Sequence, residues 1–275
     1  MNRRLRRIQH ILTGPIGIIL LGIALLLVLL WIMSTVAEGS VDALPDIQER
    51  GMIYIGVRSD MPPYGSLDAN GNPIGFEAEL AEAIGRQIVG ENGGVVLVPV
   101  TNKTRRAKLD YKDVDFLIAM VPDISANRSL FAIGDVYARE PIRIATMGGQ
   151  TLDFNNSDAT YNIGVVPDSV AHNQLKNMRK RAAVNYISIA GYEDAKSRLK
   201  QGQLDGICAE TSYLMQLMDD QIGFTGDDLG NVAYAFCSRS NEGDLAGAIR
   251  DAYRQAKSDG RLAPIYEKYG LTMPS

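Results

Sequence analysis

Apolar and polar positions follow two regimes along the chain. From Ile8 to Ala37 there is no Asp, Glu, Lys or Arg, and the core of this run, Gly14 to Met33, is twenty residues long and nearly all apolar. At about 1.5 Å per residue such a helix matches the roughly 30 Å hydrocarbon layer of a bilayer. Arg3, Arg4, Arg6 and Arg7 flank it on one side only, which favours a cytoplasmic N-terminus and an exported body. The reading taken for residues 1–37 is an uncleaved membrane anchor. A cleaved signal peptide is the alternative, with Thr35-Val36-Ala37 as a poor small-x-small cleavage site. No cysteine precedes Cys208, so no lipid acceptor is present in the leader.

Beyond a polar linker, Ser34 to Leu44, short apolar runs alternate with helical periodicity. Met52 to Val57 has the length and density of a buried strand. A turn-rich loop with Pro62-Pro63 and Asn70-Gly71 follows. Phe76, Leu80, Ile84 and Ile88 recur every four residues and predict a helix over 77–89 with one buried face. Glu77 and Glu79 in its first turn suit the positive end of the helix dipole. Strands are predicted at 95–100 and 114–121, with a short helix at 104–110. A second set begins near Pro141, with strands at 142–147, 162–166, 184–189 and 204–209. Its helices are predicted at 169–182, 191–201 and 211–219. A loop with Gly223, Gly226 and Gly230 leads to a last strand at 232–238 and to helices at 242–258 and 261–269. The alternation predicts an α/β protein with parallel sheets covered on both faces. Ligands of such sheets bind at the carboxyl ends of strands.

Charge narrows the partners. The chain has 28 Lys and Arg against 32 Asp and Glu. Setting the four leading arginines aside leaves an acidic body of net charge about −8 with no basic stripe, which argues against nucleic acid. Cys208 and Cys237 lie in apolar strand-like runs and read as two buried thiols. His10 falls in the leader, and His172 is expected to be solvated on a helix. There is no nucleophile elbow, zinc motif, phosphate loop or cluster of metal-ligand spacing. No cofactor or metal is expected.

Several segments, in order, carry a resemblance. They are Ile47 to Val57 (IQERGMIYIGV), Asp60 to Tyr64 (DMPPY), Asn70 to Ile84 (NGNPIGFEAELAEAI), Val114 to Met120 (VDFLIAM) and Ile124 to Arg128 (ISANR). Gly134 to Tyr137 (GDVY), Gly202 to Glu210 (GQLDGICAE) and Asp259 to Gly270 (DGRLAPIYEKYG) complete the set. Together they resemble the type 2 periplasmic binding proteins, in particular the family 3 receptors for polar amino acids that serve ABC transporters. The resemblance implies a two-lobed fold with two hinge crossovers. Residues 45–137 and 231–275 would form one lobe and 141–230 the other, with ligand held between them.

It also implies roles for particular residues. Arg128 would clamp the ligand carboxylate with two parallel hydrogen bonds. Ser169 would hold the same carboxylate at a helix N-terminus, a place where a serine also serves as N-cap. Glu210 stands where the family has an aspartate bound to the ligand's α-ammonium, and is one methylene longer. Met61 and Asn102 occupy positions at which the family commonly places aromatic platforms, while Tyr64 offers a ring at a position that mainly shapes the loop. Asp123 replaces a hydroxyl residue five positions before the arginine. An ionised Asp cannot donate to a carboxylate; it would repel one or occupy Arg128 itself. Asp168 replaces a glycine. If Asp60, Asp123, Asp168 and Glu210 all face the cleft against Arg128, the cleft is net acidic and its ligand cationic, such as a basic amino acid or a polyamine. Acids that turn to solvent, as exposed acids commonly do, would cancel that expectation.

The expected function is extracytoplasmic capture of a small polar ligand, an amino acid or related amine, by a monomer without catalytic activity. It would be tethered by its N-terminal helix and would deliver the ligand to an ABC permease. Two alternatives stay open: a dehydratase-like enzyme of the same fold acting on a cyclic carboxylate, with Glu210 or Asp123 as general acid, and a ligand sensor for another membrane partner.

Overall fold

The computed structural model describes residues 19, 22–30 and 42–275, apart from 91 and 227. The predicted anchor lies largely outside the described residues. Residues 22–30 are helical, and no helix among the described residues is long and apolar enough to cross a membrane.

From residue 42 the chain forms one unit. Helix α1 (Ala43–Arg50) opens it and stops at Gly51, whose φ of 64° is left-handed. This helix takes in the end of the predicted linker, Ala43 and Leu44, and residues 45–50, for which no element is predicted. It was not visible as a periodic face because Ile47 is its one buried side chain. Strand β1 (Met52–Arg58) follows, then the hairpin β2 (Ser66–Leu67) and β3 (Pro73–Ile74). Helix α2 (Phe76–Val89) buries Phe76, Leu80, Ile84 and Ile88, the face that periodicity predicts. Next come β4 (Gly94–Val100), α3 (Arg105–Asp110), β5 (Phe116–Pro122) and the single turn α4 (Ser125–Arg128). Strands β4 and β5 flank β1, both parallel to it.

Strand β6 (Ala132–Met147) is 16 residues long, although only 142–147 was predicted as strand. Its first part is interrupted by Gly134, Asp135, Arg139 and Glu140 and carries register shifts against its partner, so it shows no clean alternation. The second set then runs β7 (Thr160–Val165), α5 (Val170–Asn177), β8 (Ala183–Ser188), α6 (Tyr192–Lys200), β9 (Gly206–Glu210), α7 (Thr211–Met215) and β10 (Ile222–Phe224). Helix α5 ends five residues before the predicted 182. There the Lys180 ammonium donates to the terminal carbonyls of Leu175 and Lys176, at 2.8 and 3.1 Å. Strand β11 (Asn231–Ser238) and helices α8 (Gly243–Ser258) and α9 (Ala263–Lys268) complete the fold.

The sheet order is β4-β1-β5-β11-β6-β9-β7-β8, with β10 on β6. It is mixed, which corrects the all-parallel expectation. Strands β7, β8 and β9 are parallel, whereas β11 is antiparallel to both β5 and β6, and β6 to β9. The reason is that β6 carries the chain from one half of the sheet to the other and β11 brings it back. Ala132 to Pro141 of β6 pair with β11, and Ile142 to Ala145 pair with β9. The result is two α/β halves joined through one long strand. One hydrophobic core runs under both halves, and a smaller cluster around Val100, Leu117 and Phe131 covers the other face of the first. Cys208 and Cys237 are both buried free thiols, and burial pushes Cys208 up to about 12.

Candidate ligand-binding site

Side chains bridge the two halves beyond the carboxyl ends of β1 and β8. Tyr192, the first residue of α6, donates its hydroxyl to the Asp60 carbonyl oxygen at 2.7 Å and lies 3.4 Å from Met61 Sδ. Its ring stands 4.8 Å from that of Tyr213 on α7. Gln216 Nε2 donates to the Pro62 carbonyl oxygen at 3.1 Å. The loop that meets them is pinned by paired backbone bonds between Met61 and Gly65, at 2.8 and 3.0 Å. A Cβ on Gly65 would lie 1.8 Å from the Arg58 carbonyl oxygen, so the loop can close against the strand end only with glycine there.

Arg58, the last residue of β1, organises the charges behind this loop. It is 7% exposed, and its Nε donates to Asp60 Oδ1 at 2.5 Å. Its backbone N–H donates to Glu77 Oε2 at 3.1 Å. Glu77 is fully buried and also accepts from the Met120 N–H at 2.8 Å and the Tyr137 hydroxyl at 2.5 Å. Burial pushes Glu77 up to about 7 against these hydrogen bonds and the Arg58 charge. Glu77 therefore does more than face a helix dipole: it ties α2 to β1, β5 and β6. Arg105 of α3 donates to the carbonyl oxygens of Ala119 and Met120, at 2.7 and 2.8 Å, and places a second cation beside β5. Burial raises Glu210 at the end of β9, and the Arg58 charge opposes that rise.

The residues named from sequence fall out as follows. Arg128 is more than half exposed and its guanidinium is 2.7 Å from the Asp123 carboxylate, the self-occupied arrangement raised as one outcome for Asp123. Ser169 caps α5, its Oγ accepting from the His172 N–H at 3.1 Å. Asp168 has φ 58°, a left-handed backbone that explains why glycine suits this position and why Asp, among the residues tolerant of it, can replace one. Asn102 is exposed. Met61 is buried under Tyr192. Tyr64 is a correction: it is 1% exposed and packs edgewise against Phe76 and Tyr234, at 5.9 and 5.5 Å between centroids, so its ring belongs to the core. His172 is likewise corrected, since it is buried and its Nδ1 accepts the Asp168 N–H at 3.2 Å.

The sequence alone does not single out Arg58, Arg105, Tyr192, Tyr213 or Gln216. For Tyr192 a signal existed: it opens a helix just beyond the end of a predicted strand, where ligands of α/β sheets sit. Arg58 had the same signal as the closing residue of a strand.

The model for bacterial extracellular solute-binding proteins, family 3, matches residues 53–272. The chain belongs to that family. This extracellular solute-binding protein is 24% identical over 236 residues to the ABC transporter glutamine-binding protein GlnH of Bacillus subtilis, covering 84% of this chain and 86% of that one. It is 23% identical over 253 residues to the lysine/arginine/ornithine-binding periplasmic protein of Escherichia coli, covering 86% and 92%. Among solved structures, ArgBP from T. maritima shares the fold with a TM-score of 0.66 at 20% identity, over 82% of this chain and 98% of that one. An ancestral amino acid-binding protein described as a precursor of cyclohexadienyl dehydratase does so with a TM-score of 0.67 at 17% identity, over 83% and 99%. The fold of this solute-binding protein is thus the two-lobed periplasmic-binding-protein fold.

Proposed function

We propose that this protein captures a zwitterionic amino acid with an uncharged polar side chain between its two lobes and delivers it to an ABC transporter. Residues 45–137 and 231–275 make one lobe and 141–230 the other, with β6 and the return into β11 as the crossovers. The observation that carries this reading is the Tyr192 bond to Asp60, which joins the halves beyond the carboxyl ends of β1 and β8, where ligands of α/β sheets bind. The relatives' names support an amino acid, since they include glutamine and basic amino-acid receptors. The charges favour an uncharged side chain. Asp60 is neutralised by Arg58 and Asp123 by Arg128, and Arg105 adds a third cation. The acidic excess counted from sequence therefore shrinks, and with it the case for a cationic ligand. Arg128 and Ser169 hold the carboxylate and Glu210 the ammonium, while Tyr192 and Tyr213 replace the aromatic platforms that Met61 and Asn102 do not supply. The protein acts as a monomer, held at the membrane by residues 1–37.

A thermal-shift screen of the full chain against the common amino acids tests this reading, because a ligand that binds only the native state raises the melting temperature. A rise with an uncharged polar amino acid, lost in Arg128→Ala, supports it. A rise with putrescine or arginine alone would refute it. The Glu210 carboxyl, half-buried at the end of β9 and raised by desolvation, favours one second reading, a dehydratase acting on a cyclic carboxylate with that group as general acid. Turnover of prephenate or arogenate that is lost in Glu210→Gln would establish it.

A further inference from the structure

A cavity of about 650 Å³ opens where the two halves meet the crossover strand, within the roughly 300–1,000 Å³ typical of small-molecule pockets. None of Arg58, Asp60, Met61, Arg128, Ser169 or Glu210 lines it. Its wall combines the loop at Pro62, β6 at Arg139 and Glu140, the end of α7 at Met215 with its C-cap Gln216, and the C-terminal tail at Leu271. Two of its lining residues are charged, and they differ in what they can offer. Glu140 is buried and its carboxylate is already engaged. It accepts from the Ser212 backbone N–H, from the Ser212 hydroxyl at 3.1 Å and from the Tyr234 hydroxyl at 3.3 Å. Burial pushes it up to about 7, which lessens its repulsion of a neighbouring anion. Arg139 is exposed and holds no acceptor among the described residues. The Tyr64 hydroxyl in the same wall is buried with no partner among the described residues, an unused donor, and such groups are uncommon in folded proteins. Met215 is 54% exposed and, with Pro62, Pro63, Pro141 and Leu271, supplies apolar surface.

We infer that this cavity is a second binding site, separate from the amino-acid cleft, for a small carboxylate with a compact apolar body. The carboxylate pairs with Arg139, and the body lies against Met215 and Leu271. Because the occupant touches the Pro62 loop and α7 at once, it holds together the two segments that Gln216 already joins.

The test uses the full chain and three probes of one shape: benzoate, benzylamine and benzyl alcohol. At a tenfold excess over its Kd, benzoate is expected to raise the melting temperature by on the order of 3 °C. It is also expected to slow hydrogen exchange in residues 62–64 and 211–216. Arg139→Gln, on an exposed side chain, and Met215→Trp, which fills the cavity, each abolish both effects, whereas Arg128→Ala leaves them. Benzylamine stabilising more than benzoate would overturn the carboxylate assignment. A benzoate effect that survives Arg139→Gln, or that vanishes in Arg128→Ala, would overturn the site. So would no effect at any benzoate concentration.

Discussion

The Tyr192 hydroxyl lies 2.7 Å from the Asp60 carbonyl oxygen, so one half of the sheet clasps the loop that leaves the first strand of the other. In the proposed capture between two lobes, this bond is present only while the halves stay closed on each other. A net hydrogen bond contributes about 0.5–1.5 kcal/mol. Tyr192→Phe is therefore expected to weaken ligand binding roughly 2- to 10-fold by lowering the closed population. Isothermal titration checks this, and unchanged affinity would show that the clasp does not contribute to closure.

Asp123 holds Arg128 at 2.7 Å in this structure. A ligand carboxylate must displace that partner or share the guanidinium with it. Asp123→Ser removes a like charge and supplies a hydroxyl donor. It is expected to tighten binding of a zwitterionic amino acid by roughly tenfold, the equivalent of one charge-assisted hydrogen bond of about 1.5 kcal/mol. A weaker complex by titration calorimetry would instead assign Asp123 a direct role in holding the ligand.

Two buried carboxyls make stability fall as pH rises. Burial raises both Glu77 and Glu140 from the usual 4.5 to about 7. Below about 4.5 both are protonated in the folded and unfolded chain, and their contribution is fully present. Between 4.5 and 7 the unfolded carboxyls ionise while the folded ones resist, and stability is lost; above 7 the loss is complete. Each contributes on the order of 3 kcal/mol across this window. The melting temperature is expected to drop between pH 5 and pH 7.5, with the slope about halved in Glu77→Gln. A melting temperature that climbs over the same range would contradict the assignment.

Burial also governs the thiols. Cys208 and Cys237 are both buried, and burial raises the pKa of each, so neither presents a thiolate near neutral pH. A colorimetric disulfide reagent is expected to modify neither in the native protein and both after guanidinium unfolding. Rapid native labelling would disprove their burial.

Where the fold was legible in sequence, a single strong period carried it. The four-residue spacing from Phe76 to Ile88 identified α2, and the dense apolar run ending at Val57 identified β1. Strand β6 hid because Arg139 and Glu140 serve the junction of the two halves rather than a repeating pleat. The acids Asp60, Asp123, Asp168 and Glu210 were found by position, and Arg128 was foreseen as a partner for Asp123, but Arg58 as the partner of Asp60 was not. Arg58 lies two residues from Asp60, yet sequence does not reveal that its side chain is buried and turned onto that carboxylate. Tyr192 comes from the opposite half, 132 residues from Asp60, a separation that local patterning cannot bridge.

The most direct test is titration calorimetry of the full chain with uncharged polar amino acids, arginine and putrescine, repeated with Arg128→Ala. One uncharged polar amino acid is expected to bind at least tenfold tighter than arginine or putrescine, a difference of about 1.4 kcal/mol, and Arg128→Ala should weaken it by more than that factor. Tighter binding of putrescine or arginine, or amino-acid binding untouched by Arg128→Ala, would contradict the account.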